Sequence, residues 1–264
     1  MVAGQIIEKA GQATDPDSLL IYHVDGGNGS IKTVDSEVTW TNVGMLPAPL
    51  SAVGVAYVDT SNDDDEVDGN VFILGGSVGD TTMSSAVYHI SGNNTLSEMS
   101  PMSSADVVSA AGALGNVYYA GVNDGAIKVY DPVADTHDIF VEAEDSCFCL
   151  VASNDQFKIY YVSSDAVWVS SITQSGTLAK VVDIKFDLDP LTTNCAMSDD
   201  NVFYLIHAKD DSDQGIYSFN GAISLDWQLK SLIPQTTSAY LSASLLNEEL
   251  FLIDENVVNI IDLA

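Results

Sequence analysis

Six short apolar runs punctuate the chain: IYHV at 21–24, VFIL at 71–74, VYYA at 117–120, IYYV at 159–162, VFYL at 202–205 and LFLI at 250–253. Each is four residues long and rich in β-branched and aromatic side chains. Runs this short, apolar at nearly every position and bounded by turn residues, predict strands buried on both faces. Their starts lie 50, 46, 42, 43 and 48 residues apart, and the widest gap holds the polar insertion Ser61–Gly69. Self-similarity at a fixed period is the mark of a repeat architecture.

The flanks repeat as well. Ahead of each run lies a segment of slim residues: IIEKAGQA, AVGVAYVD, VVSAAGAL, CFCLVAS, TNCAMS and AYLSASLL. A polar turn such as Leu114-Gly115-Asn116 or Ser198–Asn201 separates it from the run. Behind each run comes an alternating strand: SIKTVD, AVYHIS, IKVYDP, VWVSSI, IYSFNG and VVNIIDLA. A fourth strand follows in five units: VTWTNV, TLSEMS, HDIFVEA, KVVDIKF and DWQLKSL. Each unit therefore reads as a four-stranded antiparallel meander, with units at about 4–46, 47–102, 103–144, 145–190, 191–238 and 239–264. A meander of this size cannot cover both its own faces, so the units must stack radially, with the small-residue strand at the crowded axis. The expected fold is an all-β, six-bladed β-propeller. A two-sheet sandwich also spaces strands regularly, but the recurring cassette with its slim strand always first favours the ring. The last unit stops after its third strand; Val2–Glu8 is expected either to supply the missing outer strand or to begin the first blade.

Two segments carry a family resemblance. Val71-Phe72-Ile73-Leu74-Gly75-Gly76, followed by Ala86-Val87-Tyr88, resembles a kelch repeat, with its di-glycine after the second strand. Ile127–His137 is similar to the kelch Tyr-Asp-Pro segment, with His137 at the tryptophan position, and the first unit offers Asp25-Gly26-Gly27 and Trp40. Units four to six lack the di-glycine, and Leu96 takes the tryptophan position in unit two. The motifs lie between about residues 17 and 140, and the resemblance implies a kelch-like propeller.

Charge narrows the function. The 264 residues hold 38 Asp+Glu against 8 Lys+Arg, a formal charge of −30, and all eight bases are lysine. Such a surface repels nucleic acid and anionic lipid, and no guanidinium is present to clamp a phosphate. The charged fraction is only 17 %, below the roughly 25 % of average domains, so the acidity comes from missing bases. Neither a secretory signal nor a membrane-length apolar run is legible. Cys147, Cys149 and Cys195 have no metal-ligand spacing and read as reduced thiols, the first two expected to point the same way from one strand.

Candidate chemistry gathers in the loops. Aspartates recur in or beside the loop between second and third strands, at Asp25, Asp80, Asp124, Asp165, Asp211 and Asp254. In a propeller these loops share a face with the links between blades, so the set describes an acidic rim suited to cations or a basic partner. Solvated turn charge is the competing reading, since turns favour Asp. Within the insertion, Asp64, Glu66 and Asp68 alternate as calcium ligands do, although no bidentate Glu stands at the position an EF-hand requires. No other cofactor is expected. The four histidines lie in separate units without ligand spacing, no Gly-x-Ser-x-Gly elbow occurs, and no carboxylate pair stands out. The expectation is a non-enzymatic module that binds other proteins in an assembly, such as a virion or surface component in a saline medium. The alternatives are a propeller that binds glycans or receptors through Trp40, Trp168 or Trp227, and a carboxylate-based glycosidase or lyase.

Overall fold

A computed structural model describes residues 11–15, 20–59, 69–79, 82–143, 145–153, 155–174, 176–190, 192–198, 200–207, 214–220, 224–233, 242–246, 249–254 and 257–263. Blade 1 comprises β1 (Gly11–Asp15), β2 (Leu20–Val24), β3 (Ser30–Val34) and β4 (Trp40–Met45). Blade 2 comprises β5 (Gly54–Asp59), β6 (Gly69–Leu74), β9 (Val87–Ile90) and β10 (Leu96–Glu98), with a two-stranded ribbon of β7 (Ser77–Val78) and β8 (Thr82–Met83) inserted between β6 and β9. Blade 3 holds β11 (Val108–Ala113), β12 (Asn116–Gly121), β13 (Ala126–Asp131) and β14 (Thr136–Glu142). Blade 4 holds β15 (Cys149–Ala152), β16 (Lys158–Val162), β17 (Ala166–Ser171) and β18 (Ala179–Asp183). Blade 5 holds β19 (Thr193–Met197), β20 (Phe203–His207), β21 (Gly215–Asn220) and β22 (Ser224–Ser231), and blade 6 holds β23 (Ser242–Leu246), β24 (Glu249–Asp254) and β25 (Val257–Asp262). Every ladder is antiparallel and runs in chain order from the inside out.

The apolar runs close the ring. Side chains alternate across a strand, so each second strand sends two residues to either neighbour. Tyr22 and Val24 share a core with Val71 and Ile73, and Phe72 and Leu74 with Val117 and Tyr119. Tyr118 and Ala120 meet Ile159 and Tyr161, and Val162 with Tyr160 meets Phe203 and Leu205. Tyr204 and Ile206 meet Leu250 and Leu252, and Phe251 and Ile253 return to Ile21 and Val34 of blade 1. Six interfaces therefore carry six apolar clusters, which is why these strands are buried on both faces. The sandwich alternative is ruled out by this closure. The innermost strands neighbour one another in the same cycle, from β1 through β5, β11, β15, β19 and β23 back to β1.

Slim residues on the innermost strands are a steric requirement. A Cβ built on Gly112 of β11 would lie 1.7 Å from the carbonyl oxygen of Tyr57 on β5, and one on Gly54 would lie 2.9 Å from Val108 Cγ2. The first blade's innermost strand is Gly11–Asp15, a few residues later than the segment IIEKAGQA expected for it. Val2–Glu8 lies outside the described residues. In blades 1, 3, 4 and 5 the ladder between third and fourth strands shifts register at one equivalent place, after Ile31, Ile127, Val167 and Ile216. Such bulges bend the outer strand and re-aim a side chain; here the residues that follow are Lys32, Lys128, Trp168 and Tyr217.

Cys147 and Cys149 do not point the same way, contrary to expectation. Strand β15 begins only at Cys149, and Cys147 belongs to the turning link before it. Cys147 is buried in the core between blades 3 and 4, and Cys149 in the core between blades 4 and 5.

Candidate functional site on the link face

One face of the ring carries the loops between second and third strands together with the links between blades. Blade 2 makes this face asymmetric. Its ribbon leaves β6 through Gly75 and Gly76, at φ +64° and +89°, backbone conformations in which glycine avoids a Cβ clash. Space requires glycine there as well: a Cβ on Gly75 would lie 2.6 Å from the Asp106 carbonyl oxygen, and one on Gly76 would lie 2.6 Å from that of Ser51. The ribbon is thus squeezed between the link from blade 1, which holds Ser51, and the link to blade 3, which holds Asp106.

Its root is stitched to both links. Ser51 and Ser77 exchange backbone hydrogen bonds of 3.0 and 2.8 Å, and their hydroxyls lie 3.0 Å apart. The Gly76 amide donates to the Asp106 carbonyl (2.9 Å), the Ser84 amide to the Gly76 carbonyl (2.8 Å) and the Asp106 amide to the Ser84 carbonyl (3.2 Å). Ser51, Gly75, Gly76 and Ser77 are buried, whereas Val78 (44 % exposed) and Met83 (40 %) stand out on the ribbon itself.

Asp106 carries the order into blade 3. Its carboxylate, 4 % exposed, accepts from the Val107 amide (2.8 Å), the Asn123 amide (2.9 Å) and Asn123 Nδ2 (2.8 Å). Replacing it with alanine leaves the buried Val107 amide without its acceptor, whereas the exposed Asn123 turns to water, at about 1–2 kcal/mol. Chemical denaturation of Asp106→Ala should show that loss, with a smaller one for Asp106→Asn, whose remaining oxygen keeps two of the three bonds. No local pattern marks this residue, because one Asp among 29 is invisible until its link is placed against its neighbours.

The three rim aspartates with described side chains are engaged at their own loops. Asp25 accepts from the Gly27 amide (3.0 Å) and Asn28 Nδ2 (2.8 Å), and Lys32 Nζ stands 4.0 Å away while lying over the Trp40 ring. Asp124 pairs with Lys128, whose ammonium also donates to Ser103 and Ser104 of the preceding link. Asp165 accepts from the Ser163 hydroxyl (2.7 Å) and has Lys180 Nζ at 4.0 Å. Asp25 and Asp124 are therefore paired locally, by the lysines that follow the bulges, whereas Lys180 lies closer to Asp183 than to Asp165. Asp80, Asp211 and the calcium-like set Asp64, Glu66 and Asp68 lie outside the described residues, as does the side chain of Asp254. Among the described residues no group of three or more His, Cys, Asp or Glu is placed to hold a metal ion.

The other candidate groups are drawn into packing. Asp135 accepts from the Ser100 amide and hydroxyl (3.0 and 2.8 Å) and from the Tyr130 hydroxyl (2.7 Å). The Tyr130 bond leads the causes that hold its carboxyl below the usual range, while burial, then that bond, pushes the Tyr130 phenol up. His137 donates from Nε2 to the Ser100 carbonyl and accepts at Nδ1 from the Tyr119 hydroxyl, both at 2.9 Å. It so ties blade 3 to the end of blade 2. Trp40 packs edge-on against His23, Trp168 donates to Ser163, and Trp227 packs against Phe219 and Phe203 while donating to the Asp183 carbonyl.

Comparison with known proteins gives the fold and nothing finer. No family model matches the sequence, and no curated protein matches it. Among solved structures, the chain is similar to YjhT, with a TM-score of 0.72 and 13 % identity over 94 % of this chain and 90 % of that one. It is also similar to a chain of the nidogen/laminin complex, with a TM-score of 0.62 and 13 % identity over 84 % and 79 %. The chain is a six-bladed β-propeller. At such identity the likeness extends to architecture alone, and a propeller supports many unrelated activities. Among the described residues no helix is long and apolar enough to cross a membrane.

Proposed function

We propose that this propeller is a non-enzymatic protein-interaction module, kelch-like in its repeat, that meets its partner through the ribbon of blade 2 and the links beside it. The observation that carries this reading is the contrast within the ribbon: a root held by buried hydrogen bonds to two links, and an exposed apolar pair, Val78 and Met83. Interfaces favour rigid elements of this kind because little ordering entropy is lost on contact. The candidate acids and tyrosines described above serve the ring's own hydrogen bonds rather than converging on a shared space. One neighbour in fold comes from a complex of nidogen with laminin, which fits a role in assembly without naming a partner for this chain. A charge of −30 without arginine fits an exposed, saline setting such as a virion or cell surface. The glycan-binding reading gains no support from the three tryptophans, each engaged in packing.

The test is recovery of the tagged protein from its native source, with the doubly substituted Val78→Ser, Met83→Ser form in parallel. A protein bound in fixed stoichiometry to the parent and lost from the variant, at unchanged melting temperature, is the expected result. Equal retention by both forms, or turnover in a panel of glycosidase and lyase substrates, would overturn the proposal.

A further inference from the structure

Two of the three cysteines, 46 positions apart in sequence, converge on one seam. Cys149 lies on β15, the innermost strand of blade 4, and Cys195 on β19, the innermost strand of blade 5. Alternation settles which way each points. Leu150 enters the core between blades 3 and 4, so Cys149 faces blade 5; Ala196 enters the core between blades 5 and 6, so Cys195 faces blade 4. Both thiols accordingly belong to the single apolar cluster between blades 4 and 5. Cα atoms of β15 and β19 approach within 8 Å, and a disulfide needs its two Cα atoms within about 7 Å. Aligning blades 4 and 5 on the bulges after Val167 and Ile216 matches Val162 with Ile206, so Cys149, opposite Val162, is level with Asn194, opposite Ile206, and Cys195 lies one residue further along β19. Cys147 enters the other seam of blade 4, between blades 3 and 4.

We infer that Cys195 and Cys149 form a thiol-modification site in which Cys195 is the attacking and Cys149 the resolving residue, closing a reversible bridge between blades 4 and 5. Cys195 is the more accessible of the two, partly exposed where Cys149 is buried. The oxidant is a small disulfide of the glutathione class. The Cys195 thiolate attacks one of its sulfurs, forming a mixed disulfide and releasing one glutathione thiolate. The Cys149 thiolate then attacks Cys195 Sγ, expelling the second glutathione, so two protein thiols are oxidised as one glutathione disulfide is reduced. The bridge would span the whole of blade 4 and tie it to its neighbour, a constraint on the unfolded chain that grows with loop length.

The experiment treats the folded chain with oxidised glutathione and follows it by thiol titration, intact mass and peptide mapping. Three titratable thiols should fall to one, with loss of two hydrogens, a linked pair of peptides containing Cys149 and Cys195, and a higher melting temperature that dithiothreitol reverses. Cys149→Ser should stop at one bound glutathione on Cys195, and Cys195→Ser should keep both remaining thiols. Three thiols surviving in the folded protein, a link that includes Cys147, or a wild-type mixed disulfide that never resolves would overturn the assignment.

Discussion

Alanine at Gly112 should be the most damaging single-methyl addition in the ring. The new Cβ would be placed 1.7 Å from the Tyr57 carbonyl oxygen, 2.7 Å from its carbonyl carbon and 3.1 Å from Val58 Cγ2. The first two atoms are backbone of the neighbouring innermost strand, so no rotamer relieves the contact and β5 and β11 must separate. Separation is opposed by the cluster behind them, where Ala56 and Val58 pack with Val108, Val117 and Tyr119. Overpacking in a rigid core costs about 1–3 kcal/mol, and a backbone obstacle puts this case at the upper end or beyond. Loss of about 3 kcal/mol corresponds to roughly 5 °C in melting temperature for a domain of this size. Gly44→Ala is the control, because its Cβ would meet Ile31 Cδ1 at 3.4 Å, ordinary contact, and its effect should stay within about 0.5 kcal/mol. Equal melting temperatures for Gly112→Ala and Gly44→Ala would mean that the innermost strands are not in close packing.

That close approach also explains how much of the fold was legible. Burial on both faces leaves a strong local trace, since four consecutive apolar residues between turns fit few other elements, and all six second strands appeared as such runs. Crowding at the axis leaves another, in Gly54, Ala56, Ala110 and Gly112. The link face left almost none. The ribbon of β7 and β8 is only two residues per strand, too short for any periodicity, and it announces itself only through Gly75-Gly76, which the kelch resemblance picked out for a different reason. The lysines beside Asp25 and Asp124 are brought there by bulges, irregularities of the ladder that no count of apolar spacing detects. The divergence of Cys147 and Cys149 has the same origin: alternation holds within a strand, and the strand starts between them.

Acid should open the seam between blades 6 and 1, and His23 is the reason. Its side chain is 1 % exposed, on the face of β2 that carries Ile21 into the core shared with Phe251 and Ile253. The Trp40 ring stands edge-on at 5.5 Å, and Nδ1 finds no hydrogen-bond partner among the described residues. Burial lowers its pKa from 6.5 to about 4; Asp25 opposes that shift and the cross-strand neighbour Lys32 adds to it. The folded state therefore holds His23 neutral where the unfolded chain would protonate it. Stability from this residue is complete above pH 6.5, declines as pH falls towards 4, and is fully lost below. A shift of this size corresponds to roughly 3 kcal/mol. The many carboxylates push the other way as they protonate and relieve the −30 charge, so the total curve mixes both effects. The difference between the parent and His23→Phe, measured by denaturation from pH 7 to 4 at fixed ionic strength, isolates the histidine. That difference should move by about 3 kcal/mol in favour of the variant as pH falls. In the parent itself, the imidazole resonances should titrate near pH 4 in the folded protein. A midpoint near 6.5, or a pH-independent difference between the two proteins, would place His23 in water rather than in the seam. His23 thus couples the seam where the last blade meets the first to pH, through the small cluster of Ile21, Val34, Phe251 and Ile253.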